Sequence, residues 1–292
     1  MLAANLRLRA QMLSQFAQYQ SSTFHYLFAD LGRKVMICFH GYDEHGGSYE
    51  LLAGLVPGHY SVISFDLPGH GKTEWNEAKD LDAESFWEII EMICEKHGKQ
   101  KDHCVLSGFS LGARIALSLF SQRPQAVDKL LLFAPDGLNN YNWYRFLTRT
   151  SVGRSVFRFS VAHASWLLSL IRLGKKLKVL SPGISKFSLY YLQEESGRML
   201  LYERWMATRK LSVAPSRLRK QIKGSGTTTI LVYGSYDRIA RPVTGYSFCR
   251  KTGDGCHVFE MPCGHQVFHP KNRIYLAEIL IGALAVQNQD LP

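Results

Sequence analysis

Residues 103–117 read His-Cys-Val-Leu-Ser-Gly-Phe-Ser-Leu-Gly-Ala-Arg-Ile-Ala-Leu. The run from His103 to Gly108 has the length and apolar content of a buried strand, and Leu111 to Phe120 has helical spacing. Between them stands Gly108-Phe109-Ser110-Leu111-Gly112. A strand that passes so abruptly into a helix forces its turn residue, Ser110, into a strained backbone, and flanking glycines relieve the clashes. The helix start also presents N–H groups to any negative charge that develops there.

A serine hydroxyl is a weak nucleophile alone, so a base and an orienting acid are required. Both are found downstream, in order. Thr228 to Tyr233 reads as a strand, followed by Gly-Ser-Tyr-Asp-Arg with Asp237 in the loop. His257 to Met261 reads as the last strand, followed by Pro-Cys-Gly-His with His265. A loop Asp is most often a turn former and a lone His a surface residue. The order Ser…Asp…His, each after its own strand, sets these two apart. Asp136, which also follows a strand, is the rival acid, with a structural or substrate-facing role preferred. An oxyanion would be held by two backbone N–H groups. Leu111, just after the nucleophile, supplies one, and Tyr42 in His40-Gly41-Tyr42 the other. Gly41 and the pair Gly46-Gly47 suggest backbone exposed at the site.

Further outward, Lys34 to His40 and Tyr60 to Phe65 read as strands, Asp82 to His97 as a helix, and Lys129 to Phe133 as a strand. Residues 24–30 suggest an antiparallel strand before them. Val243 to Lys251 and Ile274 to Val286 read as helices. Such alternation predicts an α/β fold: a mostly parallel central sheet flanked by helices. It stops between about 139 and 223, a stretch rich in aromatics and arginines with helical spacing. The expected organisation is a core of 21–138 and 224–292, a helical cap insertion of 139–223, and an N-terminal helix or tail of 1–20. The helix is suggested by Leu6, Met12, Leu13 and Phe16.

The segments HGYDEHGG, FDLPGHGKT, GFSLGARIAL, YGSYDRIA and CGHQVF resemble successive motifs of the α/β-hydrolase superfamily over about residues 31 to 288, outside the insertion. The resemblance implies a nucleophile elbow at Ser110 and a cap over the active site. It argues against dehalogenases and epoxide hydrolases, which place Asp at the nucleophile position. DLPGHG with SLGARIAL is also similar to the menaquinone-pathway synthase that eliminates pyruvate. In that family an Arg four residues after the nucleophile binds a substrate carboxylate, and Arg114 matches it. This chain departs from that family in having Phe109 where a Tyr is usual, and in a longer insertion. The other reading of Arg114 is a helix residue packed against the cap. Substrate-binding candidates are therefore Gly41, Phe109, Arg114 and Asp136.

The residues predict a serine hydrolase cleaving an ester, thioester or C–C bond of a small-molecule substrate. The alternatives are a lyase using the same three residues and a non-catalytic binding protein. No metal or other cofactor is called for. The chain carries +11 overall, while residues 139–223 hold 17 Lys plus Arg against three Glu and no Asp, a net of +14. These charges could solvate helix faces, attract an anionic or acyl-chain-bearing substrate, or dock on anionic lipid through aromatics interleaved with Arg145, Arg149 and Arg204. Charge runs most often do the first. No nucleic-acid recognition module is visible. No apolar run reaches the roughly 18 residues of a membrane span. Six cysteines without CxxC spacing suit a reducing cytoplasm better than a disulfide framework, and Cys263 stands two residues before His265. The chain is read as a monomer or homodimer.

Overall fold

The structure, a computed structural model, describes residues 11–77, 80–139, 142–177, 192 and 194–284. Eight strands form one sheet in the order β1-β2-β4-β3-β5-β6-β7-β8. They are β1 Leu13–Tyr19, β2 Ser22–Ala29, β3 Lys34–Phe39, β4 Tyr60–Phe65, β5 Cys104–Phe109, β6 Val127–Phe133, β7 Thr228–Gly234 and β8 Cys256–Met261. β1, β2 and β4 pair antiparallel in turn, and β3 to β8 run parallel.

Successive side chains of a strand point to opposite faces, so a sheet covered on both sides needs continuous apolar strands. β3 shows this: Val35, Ile37 and Phe39 enter one core cluster, Met36 and Cys38 the other. The first cluster is closed by α2 (Ala83–Lys96) and α3 (Leu111–Gln122), with Phe86, Trp87, Ile90, Ile115 and Leu119 buried. The second is closed by the single turn α1 (Glu50–Ala53) and the last helix, whose Leu276 and Leu280 are buried.

The N-terminal reading is corrected. Residues 13–19 are not a helix but the edge strand β1, in register with β2 from Leu13↔Phe28 to Tyr19↔Ser22. Gln20 turns the hairpin at a φ of 53°, a conformation that favours glycine, so no Asn-Gly or Gly signal announced it. Leu6 lies outside the described residues.

Between β6 and β7, five helices run among the described residues: α4 Asn142–Arg149, α5 Ser151–Ala162, α6 Ala164–Lys176, α7 Glu195–Ala207 and α8 Pro215–Ser225. The last of these is core. Leu218 and Ile222 join the first cluster, and Gln221 exchanges hydrogen bonds with Ser121 of α3. A parallel β6–β7 pair needs such a crossover helix. α9 (Pro242–Thr252) and α10 (Arg273–Leu284) complete the fold.

The cysteine reading is also corrected: Cys249 and Cys256 form a disulfide. The loop Gly253-Asp254-Gly255 is so short that the end of α9 and the start of β8 lie 5.0 Å apart at Cα. That proximity is tertiary, and spacing alone did not reveal it. The cysteine argument for a reducing compartment falls with it.

One glycine sets how close α3 comes to the sheet. A Cβ on Gly112 would fall on the backbone carbonyl of Phe39. Gly112→Ala is expected to destabilise the chain by about 3 kcal/mol through overpacking, measured as a lower urea midpoint at unchanged slope.

Candidate active site

The carboxyl ends of the parallel strands bring the three residues together. Ser110 sits between β5 and α3 at φ 50°, ψ −112°. Its backbone is gripped from both sides. Its N–H donates to Phe133 O at 2.9 Å, and its carbonyl accepts from Asp136 N at 3.1 Å and Ala113 N at 3.1 Å. Strain of this kind persists only where neighbours over-determine it.

Asp237 follows β7 and its carboxylate is buried. Oδ1 accepts from the N–H groups of Ile239 (2.7 Å) and Ala240 (3.0 Å), and Oδ2 lies 2.7 Å from His265 Nδ1. An ionised carboxylate only accepts, which assigns the proton to Nδ1 and leaves Nε2 as an acceptor. His265 Nε2 stands 3.1 Å from Ser110 Oγ. A Cβ on Gly234 would strike the carbonyl of Gly264, so a glycine at the end of β7 lets the two loops meet. The Phe109 ring lies 5.2 Å from the His265 ring, and a Cβ on Gly41 would lie 2.8 Å from the Phe109 ring. Tyr236 N donates to Cys263 O, tying those loops, and burial pushes the Cys263 thiol above its ordinary range.

Asp136 and Arg114 fall elsewhere. Asp136 Oδ1 accepts from Gly137 N at 2.7 Å, and Oδ2 lies 3.7 Å from Arg114 Nε. The Arg114 guanidinium stacks 4.5 Å from the Tyr144 ring centre of α4 and is buried. A carboxylate and a ring already face it. Gly46-Gly47 is corrected: Gly46 is buried, its N–H donates to Asp66 and its carbonyl accepts from Ser64.

Arg204, named above among the cations that would flank a lipid-docking face, does not lie on one. It is 8% exposed. From α7 it donates to Gly69 O at 3.0 Å and Asp43 Oδ1 at 2.9 Å, and lies 5.1 Å from the Tyr42 ring centre. It thus ties the inserted helices to the loops after β3 and β4. Arg149 likewise donates to the carbonyls of Arg209, Lys210 and Ser212. Other cations of the insertion, Arg154, Arg209, Lys210 and Arg217, line with Asp80 a cleft of about 490 Å³ that does not include Ser110.

Beneath the loops lie two buried histidines that the sequence reading did not single out. His40 Nδ1 donates to Gly41 O, and its Nε2 accepts from Leu67 N. Burial lowers its pKa to about 4. His70, beside it at 5.0 Å between ring centres, is lowered to about 3, chiefly by burial and then by His40 and Arg204.

A second serine–histidine–aspartate chain also escaped that reading. Ser14 Oγ lies 2.8 Å from His25 Nε2, and His25 Nδ1 lies 2.7 Å from Asp66 Oδ2. Its context differs. Ser14 is in a regular strand paired with β2, with no strained turn and no helix start beside it. Among the described residues no group of His, Cys, Asp and Glu could hold a metal ion.

Comparisons with known proteins agree with this architecture. The chain is 28% identical over 106 residues to the uncharacterized hydrolase YugF of Bacillus subtilis (strain 168), covering 36% of this chain and 38% of that protein. It spans about two-fifths of that relative's length. It is 22% identical over 225 residues to the pimeloyl-[acyl-carrier protein] methyl ester esterase of Nitrosospira multiformis, covering 71% and 78%. Among solved structures, the thioesterase domain from the curacin biosynthetic pathway superposes with a TM-score of 0.59 at 20% identity, covering 93% of this chain and 99% of that one. The family model for the alpha/beta hydrolase fold matches residues 34–271, and the chain belongs to that family.

Proposed function

We propose that the chain is a serine hydrolase that cleaves a carboxylic ester or thioester through an acyl-enzyme. The observation that carries this reading is the continuous chain Asp237–His265–Ser110 at a strained turn that opens a helix. His265 Nε2 takes the Ser110 proton as Oγ attacks the substrate carbonyl, while Asp237 holds the ring and stabilises its charged form. The N–H groups of Leu111 and Tyr42 hold the oxyanion. Leu111 heads α3, so its N–H has no acceptor within the helix. The leaving alcohol or thiol takes the proton from His265. Water, deprotonated in turn by His265, then releases the acid and restores Ser110.

The names borne by relatives, a methyl ester esterase and a thioesterase domain, support the bond type. Arg114, already faced by Asp136 and Tyr144, gives no support to the lyase alternative. Residues 142–177 and α7 act in this reading as a cap, joined to the site's loops through Arg204.

A fluorophosphonate probe tests the proposal. The folded chain is expected to take one phosphonyl group, mapped by peptide mass spectrometry to Ser110. Labelling at Ser14 instead, or no labelling, would overturn it.

A further inference from the structure

We infer that α5 and α6 form a docking surface for an anionic lipid bilayer. On α5, Val152, Val156 and Phe159 follow i, i+4, i+7 spacing. On α6 and its cap, Trp166, Leu170, Leu173 and Leu177 follow the same repeat. All seven are exposed, between 40% and 66%. Each spacing puts its residues on one stripe of its helix. The opposite faces are anchored. Phe157 packs on Tyr202 and Trp205, and Ile171 packs with Leu201. Each helix therefore carries two apolar stripes, one packed on α7 and one turned to solvent. Apolar stripes of this extent mark interaction surfaces.

Charge identifies the partner. Residues 142–177 contain no Asp or Glu. Arg158, Arg172, Lys175 and Lys176 are exposed on the same two helices. Apolar side chains flanked by cations suit acyl chains beneath anionic headgroups. A second copy of the chain fits poorly, because a symmetric contact would set cations against cations with no carboxylate between them. Together α5 and α6 have the length and apolar content of a span, but their axes turn by 89° at the break between them, and no single helix among the described residues is long and apolar enough to cross a membrane. With Phe157 and Ile171 packed against α7, the two helices lie on the bilayer rather than through it.

The test is sedimentation with vesicles of phosphatidylglycerol and phosphatidylcholine against vesicles of phosphatidylcholine alone. The native chain is expected to bind the anionic vesicles at least about tenfold more tightly, and high salt to weaken that binding. Leu170→Glu/Leu173→Glu is expected to lose at least about tenfold in partition to anionic vesicles. Its thermal midpoint should be unchanged, since both side chains are exposed. Ser110→Ala should bind vesicles as the native chain does, which separates this inference from the hydrolase reading. Equal retention of the double variant and the native chain would overturn the inference. So would a native dimer that the double variant converts to monomer while vesicles retain neither.

Discussion

Ser110→Ala is expected to lower kcat/KM on an ester or thioester substrate by about 10⁵-fold or more, leaving KM nearly unchanged. The alanine keeps the fold, because the strained turn is held by backbone bonds to Phe133, Asp136 and Ala113 rather than by the hydroxyl. What is lost is the covalent route. The residual rate over water then reports the contribution of the oxyanion donors and substrate binding. Asp237→Asn is the informative companion. It preserves shape, but an amide can present N–H instead of a lone pair to His265 Nδ1, and the ring then turns to the wrong tautomer. A loss of about 10⁴-fold in kcat is expected. Steady-state rates with a chromogenic ester, on variants with native unfolding midpoints, check both. Should Asp136→Asn cost more than Asp237→Asn, the assignment of the acid would be wrong.

The second large effect concerns acid. His40 and His70 are buried and neutral, with pKa values lowered from 6.5 to about 4 and about 3. Between pH 6.5 and 4 the unfolded chain binds protons that the folded chain refuses. Stability therefore falls as pH drops through that window, and levels off for each group once its folded pKa is passed. For His40 alone the loss is on the order of 3 kcal/mol. Its protonation would place a proton on Nε2, break the bond from Leu67 N–H and put a charge near Arg204. Denaturant midpoints at pH 7.5, 5.5 and 4.5 should fall in that order. His40→Gln should be less stable at neutral pH but show a shallower decline. A flat profile from pH 7.5 to 4.5 would contradict the buried neutral state.

The parallel sheet and the meeting of the three candidate site residues were legible in the sequence for the same reason. Strands buried on both faces read as apolar runs, and the chemistry of this fold stands directly after them. What stayed hidden depends on contacts between distant residues. β1 alternates only weakly, because an edge strand exposes most of its side chains, and its turn uses Gln20 where glycine would have announced it. Arg204 is one of 17 cations in its segment, and no local pattern separates it, the one that is buried among the described residues, from the others. The Cys249–Cys256 link arises because a three-residue loop folds β8 back against α9. His25 and Asp66 are 41 residues apart and meet through the antiparallel β2–β4 pairing.

Arg204 has a consequence for how such chains diversify. Its partners are a backbone carbonyl of Gly69 and the side chain of Asp43, both in loops. The inserted helices are thus stitched to the rim, while the strands beneath carry none of that stitching. A graft that replaces residues 142–207 is expected to leave the serine turn in place, since its backbone bonds go to Phe133, Asp136 and Ala113. It must also supply its own cation for Asp43, or bring a matching loop after β3. A chimera joined between the inserted helices and these loops is therefore expected to fold with Asp43 lacking its guanidinium partner, whereas one that exchanges the loop after β3 together with the helices keeps the pair matched.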